Sequence, residues 1–242
     1  MIADCESCPL RNCEAFVPLT AAELEFQKSF KKSERIVAAG QTILMQGENS
    51  PHLYTVLKGQ GLRYMTLPDG RRQVVNLLFP GDFLGLQAGL MSEMRHSIDA
   101  TTDMVLCVFD RADLFRLFND HPQRAYDLTW LAAIGEHFLG EALAVVGQRD
   151  ALSRMAWAFA RCLQHGQALG LATGWEMPFP YTQRDLADTL GLSLVHTNKT
   201  LARLKLLGIA EWSGQRLRVL NPRLLFELAQ MPFDQHEKRP LF

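Results

Sequence analysis

Cysteine, long uncharged apolar runs and catalytic signatures are all scarce in this sequence. Five of its 242 residues are cysteine (Cys5, Cys8, Cys13, Cys107 and Cys162), and three of them fall within nine positions. So uneven a distribution does not suit a disulfide framework. In a reducing compartment it points to a metal or redox site. The most apolar long window, Leu128 to Val146, is interrupted by Glu136, His137 and Glu141. A membrane span needs about 20 nearly uncharged residues, so no membrane association is expected. The opening MIADCESCPLRNC lacks the apolar segment of a secretory signal, and the expected location is the cytoplasm. There is no phosphate-binding glycine loop, no H-E-x-x-H, no G-x-S-x-G and no cysteine with an evident histidine partner, so an enzyme is not expected. Low-complexity tracts and long repeats are also missing.

What is present is enough for a sizeable core. The chain is 48% hydrophobic and 21% charged, which excludes wholesale disorder and suits one large domain or two ordinary ones. From about Ser33 to Phe109 it reads as short strands: ERIVAAG, QTILMQG, HLYTVLKG, GLRYMTL, QVVNLLF and DMVLCVF. Gly40, Gly47, Gly59, Pro68-Asp69-Gly70 and Pro80-Gly81-Asp82 separate them, which predicts an all-β barrel or sandwich. From about Pro122 to Gln148 the period becomes helical. Leu128, Leu131, Gly135, Phe138, Ala142 and Val145 form a seam spaced by threes and fours, and Ile134, Leu139, Leu143 and Val146 lie beside it. One stripe suffices for a helix packed on its own core. Two predict a helix that also meets a partner, with a symmetric homodimer as the usual outcome, and the first seam is read as the dimer interface.

The net charge is -1, yet Leu194 to Arg223 holds Lys199, Arg203, Lys205, Arg216, Arg218 and Arg223 against Glu211. A local basic patch on a near-neutral chain suggests a polyanion partner for that region. Its sequence says which. Thr182 can cap a helix through Leu190, Gly191 suits a tight turn, Ser193 can cap a helix to about Leu207, and Gly208 ends it. Two strands follow, around Ile209–Trp212 and Arg216–Leu220. Helix, turn, helix and basic hairpin make a winged helix-turn-helix, whose second helix fits the major groove of double-stranded DNA. Leu186, Ala187, Leu190, Leu192, Leu201 and Leu204 are its expected buried face. The candidate DNA-binding residues are Thr182, Ser193, Val195, His196, Asn198, Lys199 and Arg203. Lys199 can donate to guanine, Asn198 can pair with adenine and Val195 can touch a thymine methyl, while Arg203 and Lys205 suit phosphates.

A β-rich half, a long helix and a C-terminal winged helix, with the turn PGDFLG at Pro80 to Gly85, resemble the Crp/Fnr family of bacterial transcription regulators over nearly the whole chain. The resemblance implies an α+β fold in four parts. These are a cysteine-rich segment (1–20), a β-roll sensor domain (21–121), a dimerisation helix (122–150) and a winged helix-turn-helix domain (151–242). It also implies a homodimer, a palindromic operator and contact with RNA polymerase. The family's recognition helix often reads E-x-x-S-R. Val195, Asn198 and Lys199 stand at those positions, so the usual half-site does not carry over.

The cyclic-AMP branch of the family holds its ligand with a Glu and an Arg-Ser pair. In GDFLGLQAGLMSEMRHSI, Leu86 replaces the Glu and His96 the Arg, although Ser97 remains, and Arg95 should point the other way. A cyclic nucleotide is therefore not expected. The Fnr branch resembles this chain in having three N-terminal cysteines and a fourth in the strand matching MVLCVF. The implied metal ligands are Cys5, Cys8, Cys13 and Cys107, and the implied cofactor is a [4Fe-4S] cluster sensing oxygen, redox state or nitric oxide. Cluster state would control dimerisation and DNA binding, with Glu141 flanking the dimer axis. Four thiolates also suit zinc, and the alternative is a regulator gated by a small molecule in the β-roll with structural or zinc-binding cysteines. Cys162, in WAFARCLQHG, reads as a core residue.

Overall fold

Alternating β-branched and aromatic residues between Gly and Pro turns build the N-terminal half, as the pattern demands. A computed structural model describes residues 4–233 and 238–242, so the expected outer domains extend over a few residues outside that set. A helix absent from the sequence reading comes first, α1 (Ala21–Phe30). Thr20 caps it, the Thr20 hydroxyl accepting from the Glu23 amide while the Glu23 carboxylate accepts from the Thr20 amide at 2.7 Å. Eight strands follow: β1 (Lys31–Val37), β2 (Thr42–Leu44), β3 (His52–Lys58), β4 (Gly61–Thr66), β5 (Arg72–Leu78), β6 (Phe83–Leu84), β7 (Ser97–Ala100) and β8 (Met104–Asp110). Helix α2 (Leu86–Met91) lies between β6 and β7, α3 (Leu114–Asp120) follows β8, and α4 (Pro122–Gln148) and α5 (Ala151–Ala168) come next. The C-terminal part contains β9 (Glu176–Pro178), α6 (Gln183–Leu190), α7 (Leu194–Leu206), β10 (Ala210–Ser213), β11 (Arg216–Val219) and α8 (Pro222–Ala229).

The eight strands form two four-stranded antiparallel sheets, ordered β1-β8-β3-β6 and β2-β7-β4-β5. Between them Ile43, Leu44, Val56, Leu78, Ile98, Met104 and Leu106 fill an apolar interior. A second cluster joins Phe26 and Phe30 of α1, Leu53, Cys107 and Phe109 of the first sheet, Ala125 and Leu128 of α4, and Phe242. Burial on this scale is the main stabilising term of the half.

The chain divides into two compact units. One comprises Met1–Asn12, Phe16–Glu136 and Arg239–Phe242, and the other Cys13–Ala15 and His137–Lys238. The division falls inside α4, and the chain's last four residues belong with the β-roll. In the second unit α5 is capped by Asp150, whose carboxylate accepts from the Ser153 amide at 2.9 Å. Its Met155, Phe159 and Leu163 are buried, and α8 packs beside it through Leu225 and Phe226.

Helix α4 corrects the expected dimer seam. Leu128 is 2% exposed and Val145 1% exposed, so neither offers surface to a partner. Leu131 packs on the Cys107 cluster, and Phe138 stacks on Trp157 with ring centroids 6.1 Å apart. Gly135 and Ala142, on the same stripe, are only partly exposed. Glu141 also turns inward, accepting from Trp157 Nε1 at 2.8 Å and Arg161 Nη1 at 2.9 Å, so it does not flank an exposed axis. The exposed face runs through Tyr126, Ala133, Glu136, Leu139, Gly140 and Leu143, the last 74% exposed. A helix with two apolar stripes gives one to its own core, and period alone does not say which. By length and composition α4 could cross a membrane.

Candidate thiol recess and DNA-binding surface

Cys5 and Cys8 lie in a short turn that enters a 3-10 turn at Pro9–Asn12. The turn is closed by the Ser7 amide donating to the Asp4 carbonyl at 3.1 Å, and an ion pair between Glu6 and Lys28 ties it to α1. Cys107 sits in the middle of β8, opposite Glu34 of β1 and Thr55 of β3. These elements meet around a small, partly open recess lined by Cys5, Cys8 and Cys107 together with Leu10, Lys31, Thr55 and Phe242. Three of the four expected metal ligands therefore share one recess, although Cys107 is about a hundred residues from the other two. Cys13 belongs to the other compact unit, where its thiol donates to the Leu169 carbonyl at 3.5 Å. All five cysteines are thiols, and among the described residues no three His, Cys, Asp or Glu side chains are gathered in a metal-holding group.

Burial pushes the Cys107 thiol up to about 12, with nearby Lys31 only partly offsetting it, and burial likewise raises Cys5. Burial also works against the Lys31 ammonium. Its hydrogen bond to Glu34 at 2.6 Å outweighs that, together with the nearby thiols, and its pKa is raised. The recess thus holds the neutral thiols of Cys5 and Cys107, with Lys31 and Arg11 as cations in its wall. A thiophilic metal would displace their protons, and Lys31 would offset part of the resulting negative charge. Cys5, Cys8 and Cys107 are the residues that would hold such a group, and they line the recess without being gathered into a metal-holding cluster.

Inside the roll, His96 is buried and held neutral, its pKa lowered to about 3 by burial and by the charge of Arg63. Arg63 is itself lowered by burial. The Ser97 hydroxyl accepts from the Gln46 amide at 3.0 Å. Arg95 points to solvent and pairs with Glu93 at 2.7 Å, and Leu86 begins α2. His96 itself carries no charge to offer a phosphate, and the fixed positive charge nearest it is the buried guanidinium of Arg63.

In the C-terminal unit the local signals act together. The Thr182 hydroxyl accepts from the Asp185 amide at 3.1 Å and donates to the Asp185 carboxylate at 2.7 Å. That hydroxyl is committed to starting α6, so Thr182 serves as a cap and its role as a DNA-contacting side chain is not supported. Gly191 ends α6 at φ +63°, and a Cβ there would sit 3.2 Å from the Val146 side chain. Both constraints call for glycine. The Ser193 hydroxyl caps α7 by accepting from the His196 amide at 3.2 Å. Val195, His196, Asn198, Lys199 and Arg203 are all exposed on α7.

The buried face of α7 differs from the expected one. Leu204 is buried and Leu201 only partly so, while Thr197 and Thr200 point inward. The Thr200 hydroxyl donates to the His196 carbonyl at 2.8 Å, which lets a polar residue sit there. The hairpin β10–β11 turns through Gly214 and Gln215, both at positive φ, and β9 pairs with β11. Glu176 of β9 pairs with Arg216 and, at 3.3 Å, with Arg218, and Lys205 pairs with Glu211. The wing is therefore less basic than its sequence alone. The sequence reading missed Glu176 because it lies 40 positions from Arg216.

This combination defines a winged-helix DNA-binding regulator with an N-terminal β-roll. Residues 34–121 match the family description "Cyclic nucleotide-binding domain" and residues 153–228 match "Crp-like helix-turn-helix domain". A nitrogen fixation regulation protein FixK of Rhizobium meliloti (strain 1021) is 30% identical over 198 residues, covering 80% of this chain and 87% of that protein. A second FixK, from Bradyrhizobium diazoefficiens, is 29% identical over 227 residues, 93% of each chain. The solved structure of FixK2 from Bradyrhizobium japonicum is similar with a TM-score of 0.73 at 26% identity, covering 81% of this chain and 96% of that one. The chain belongs to the Crp/Fnr family of transcription regulators, which bind DNA and function as dimers, and it is not an enzyme.

Proposed function

We propose that this regulator senses oxygen, redox state or nitric oxide through a [4Fe-4S] cluster held by Cys5, Cys8, Cys13 and Cys107. The observation that carries this reading is the convergence of Cys5, Cys8 and Cys107 on one recess beside Lys31. Nothing in their sequence separation requires it. Cys13 supplies the fourth thiolate once its hydrogen bond to Leu169 is given up. A bound cluster supplies oxygen-sensitive iron chemistry. The chain's own residues supply the rest. Lys31 balances thiolate charge, Glu6 and Lys28 hold the N-terminal turn against α1, and Cys107 shares its apolar cluster with Ala125 and Leu128 at the root of α4. Any change in how Cys107 is seated is therefore felt by the helix that carries the exposed stripe.

That stripe, centred on Ala133, Leu139, Gly140 and Leu143, is the surface that pairs in the homodimer. Pairing covers the apolar face that a single chain leaves to solvent, and the protein then works in the cytoplasm with no membrane. The dimer presents two α7 helices to a palindromic operator, their spacing matching about one DNA turn of 34 Å. Val195, His196, Asn198 and Lys199 meet base edges, Ser193 and Arg203 meet the backbone, and RNA polymerase is the further partner. A cyclic nucleotide is not the signal, since His96 is neutral and Ser97 is engaged within the roll.

A second reading keeps the DNA-binding architecture but gives the thiols to zinc or to a structural role, with a small molecule as signal. The absence of any group of three metal-holding side chains among the described residues weighs against zinc as much as against a cluster, and so favours the structural role within this reading. Anaerobic purification with iron, sulfide and zinc analysis decides between them. About four irons and four sulfides per chain, with a visible absorbance that changes in air and is lost in Cys107→Ala and Cys13→Ala, supports the cluster. Colourless protein that resists reconstitution overturns it.

A further inference from the structure

The segment Arg239–Phe242 returns to the β-roll and forms one side of the thiol recess. Arg239 pairs with Asp82 at 2.6 Å, and its guanidinium lies 5.3 Å from the Phe16 ring centroid. The Val17 amide donates to the Arg239 carbonyl at 3.0 Å. Gly81 leaves room for this arrangement, since a Cβ there would lie 2.1 Å from the Phe16 ring. Further along, buried Arg124 donates to the Leu241 carbonyl at 2.5 Å and stacks on the Phe242 ring at 4.0 Å. Phe242 is 3% exposed, packs on Phe83 and belongs to the same apolar cluster as Cys107. Leu241 and Phe242 both line the recess.

These contacts are of two kinds. Arg239 is held by its ion pair with Asp82, a hydrogen bond to the Pro80 carbonyl, the Phe16 ring and a backbone bridge, while Phe242 is an aromatic plug beneath a guanidinium. A short segment anchored at two points can leave its seat without unfolding the sheets it covers, because local opening costs less than global unfolding. We propose that Arg239–Phe242 is a strap over the cysteine recess, whose seating governs how readily small thiol-reactive molecules reach Cys107. It concerns the same recess as the cluster but does not depend on a metal being bound. The strap controls access whether the thiols take a cluster, take zinc or react directly.

The test uses the full-length, reduced, metal-free protein and iodoacetamide under native conditions, with each alkylated cysteine quantified by peptide mass spectrometry. Phe242→Ala should raise the Cys107 rate at least about tenfold, since it removes the buried anchor. Arg239→Gln should raise it by a smaller factor. Cys162, buried in the other unit, should react at its original rate in the same samples. In wild-type protein, urea well below the unfolding transition should accelerate Cys107 and leave Cys162 unchanged, which decides the matter even if Phe242→Ala fails to fold. An unchanged Cys107 rate in a folded Phe242→Ala protein would overturn the strap. So would Cys107 and Cys162 rates that rise together only at the unfolding transition. Iron content does not enter this readout, so loss of the cluster reading leaves the strap standing, and the reverse also holds.

Discussion

The winged helix and the cysteine recess are built in opposite ways. Between Thr182 and Val219 each decisive contact is short in sequence: Thr182 with Asp185, Ser193 with His196, and the β10–β11 pairs across a tight turn. The recess instead collects Cys5 and Cys8 from one end, Lys31 and Thr55 from the first sheet, Cys107 from β8 and Phe242 from the other end. Local geometry makes the first region a rigid reader of DNA. The second is held by a few long-range contacts, an ion pair here and an aromatic plug there, which suits an element that must respond. A regulator needs both, and this chain separates them.

Damage to the winged helix should therefore leave the cysteine recess untouched. The largest effect expected is from Leu204→Ala, since Leu204 is fully buried. The change should cost about 3 kcal/mol of stability in the C-terminal unit and abolish DNA binding. Urea unfolding and gel-shift titration would show it, and iodoacetamide reactivity of Cys107 should not change. Altered Cys107 reactivity would break the comparison.

The β-roll should in turn have its own acid limit. His96 titrates near an ordinary 6.5 when unfolded but only at about 3 in the folded protein. Its folded pKa is depressed, so its contribution is complete above the unfolded pKa and is lost as pH falls from about 6.5 toward 3. The slope approaches about 1.4 kcal/mol per pH unit for one proton. Urea midpoints measured from neutral to acid pH should show this fall for the β-roll, and His96→Gln should flatten it. A steeper limb that survives the substitution would assign the acid sensitivity to carboxylates.

Smaller changes sharpen the picture of α7. Lys199→Ala should weaken binding to the operator by roughly tenfold and relax preference at one base position. Arg203→Ala should weaken all sequences alike and lower the salt dependence by about one counterion. Competition binding against single-base variants of the operator at several salt concentrations separates the two. Smallest is Ser193→Ala, which removes a cap worth about 1 kcal/mol and should lower thermal stability slightly without altering base preference.

Much of the reader was legible because capping and turn chemistry act over three or four residues. Thr182, Gly191, Ser193 and Gly208 mark the ends of α6 and α7 where the chain bends. The inward turn of Thr197 and Thr200 was not legible, since polar β-branched residues normally read as surface. It depends on the back-bond from Thr200 to His196 and on what packs beneath α7. The role of Thr182 was half legible: its type was right for a cap, and no spacing rule says whether a capping hydroxyl also faces DNA. On α4 the stripe through Leu128 and Val145 was visible, but its burial against the chain's own core was not.

The class of regulator came from a family resemblance, while from the residues alone came the helix-turn-helix with its caps, the strand-rich half, the long helix and the suspicion attached to three cysteines within nine positions. Those are consequences of backbone preference and hydrophobic period, which act locally and leave a trace in every short window. Only the tertiary structure decided which stripe of α4 stays exposed, that Glu176 tempers the wing, that Cys107 faces Cys5 and Cys8 across a recess, and that Arg239–Phe242 returns to wall it. Each of those depends on which distant surfaces come together, and that is settled by burial and packing summed over a whole unit.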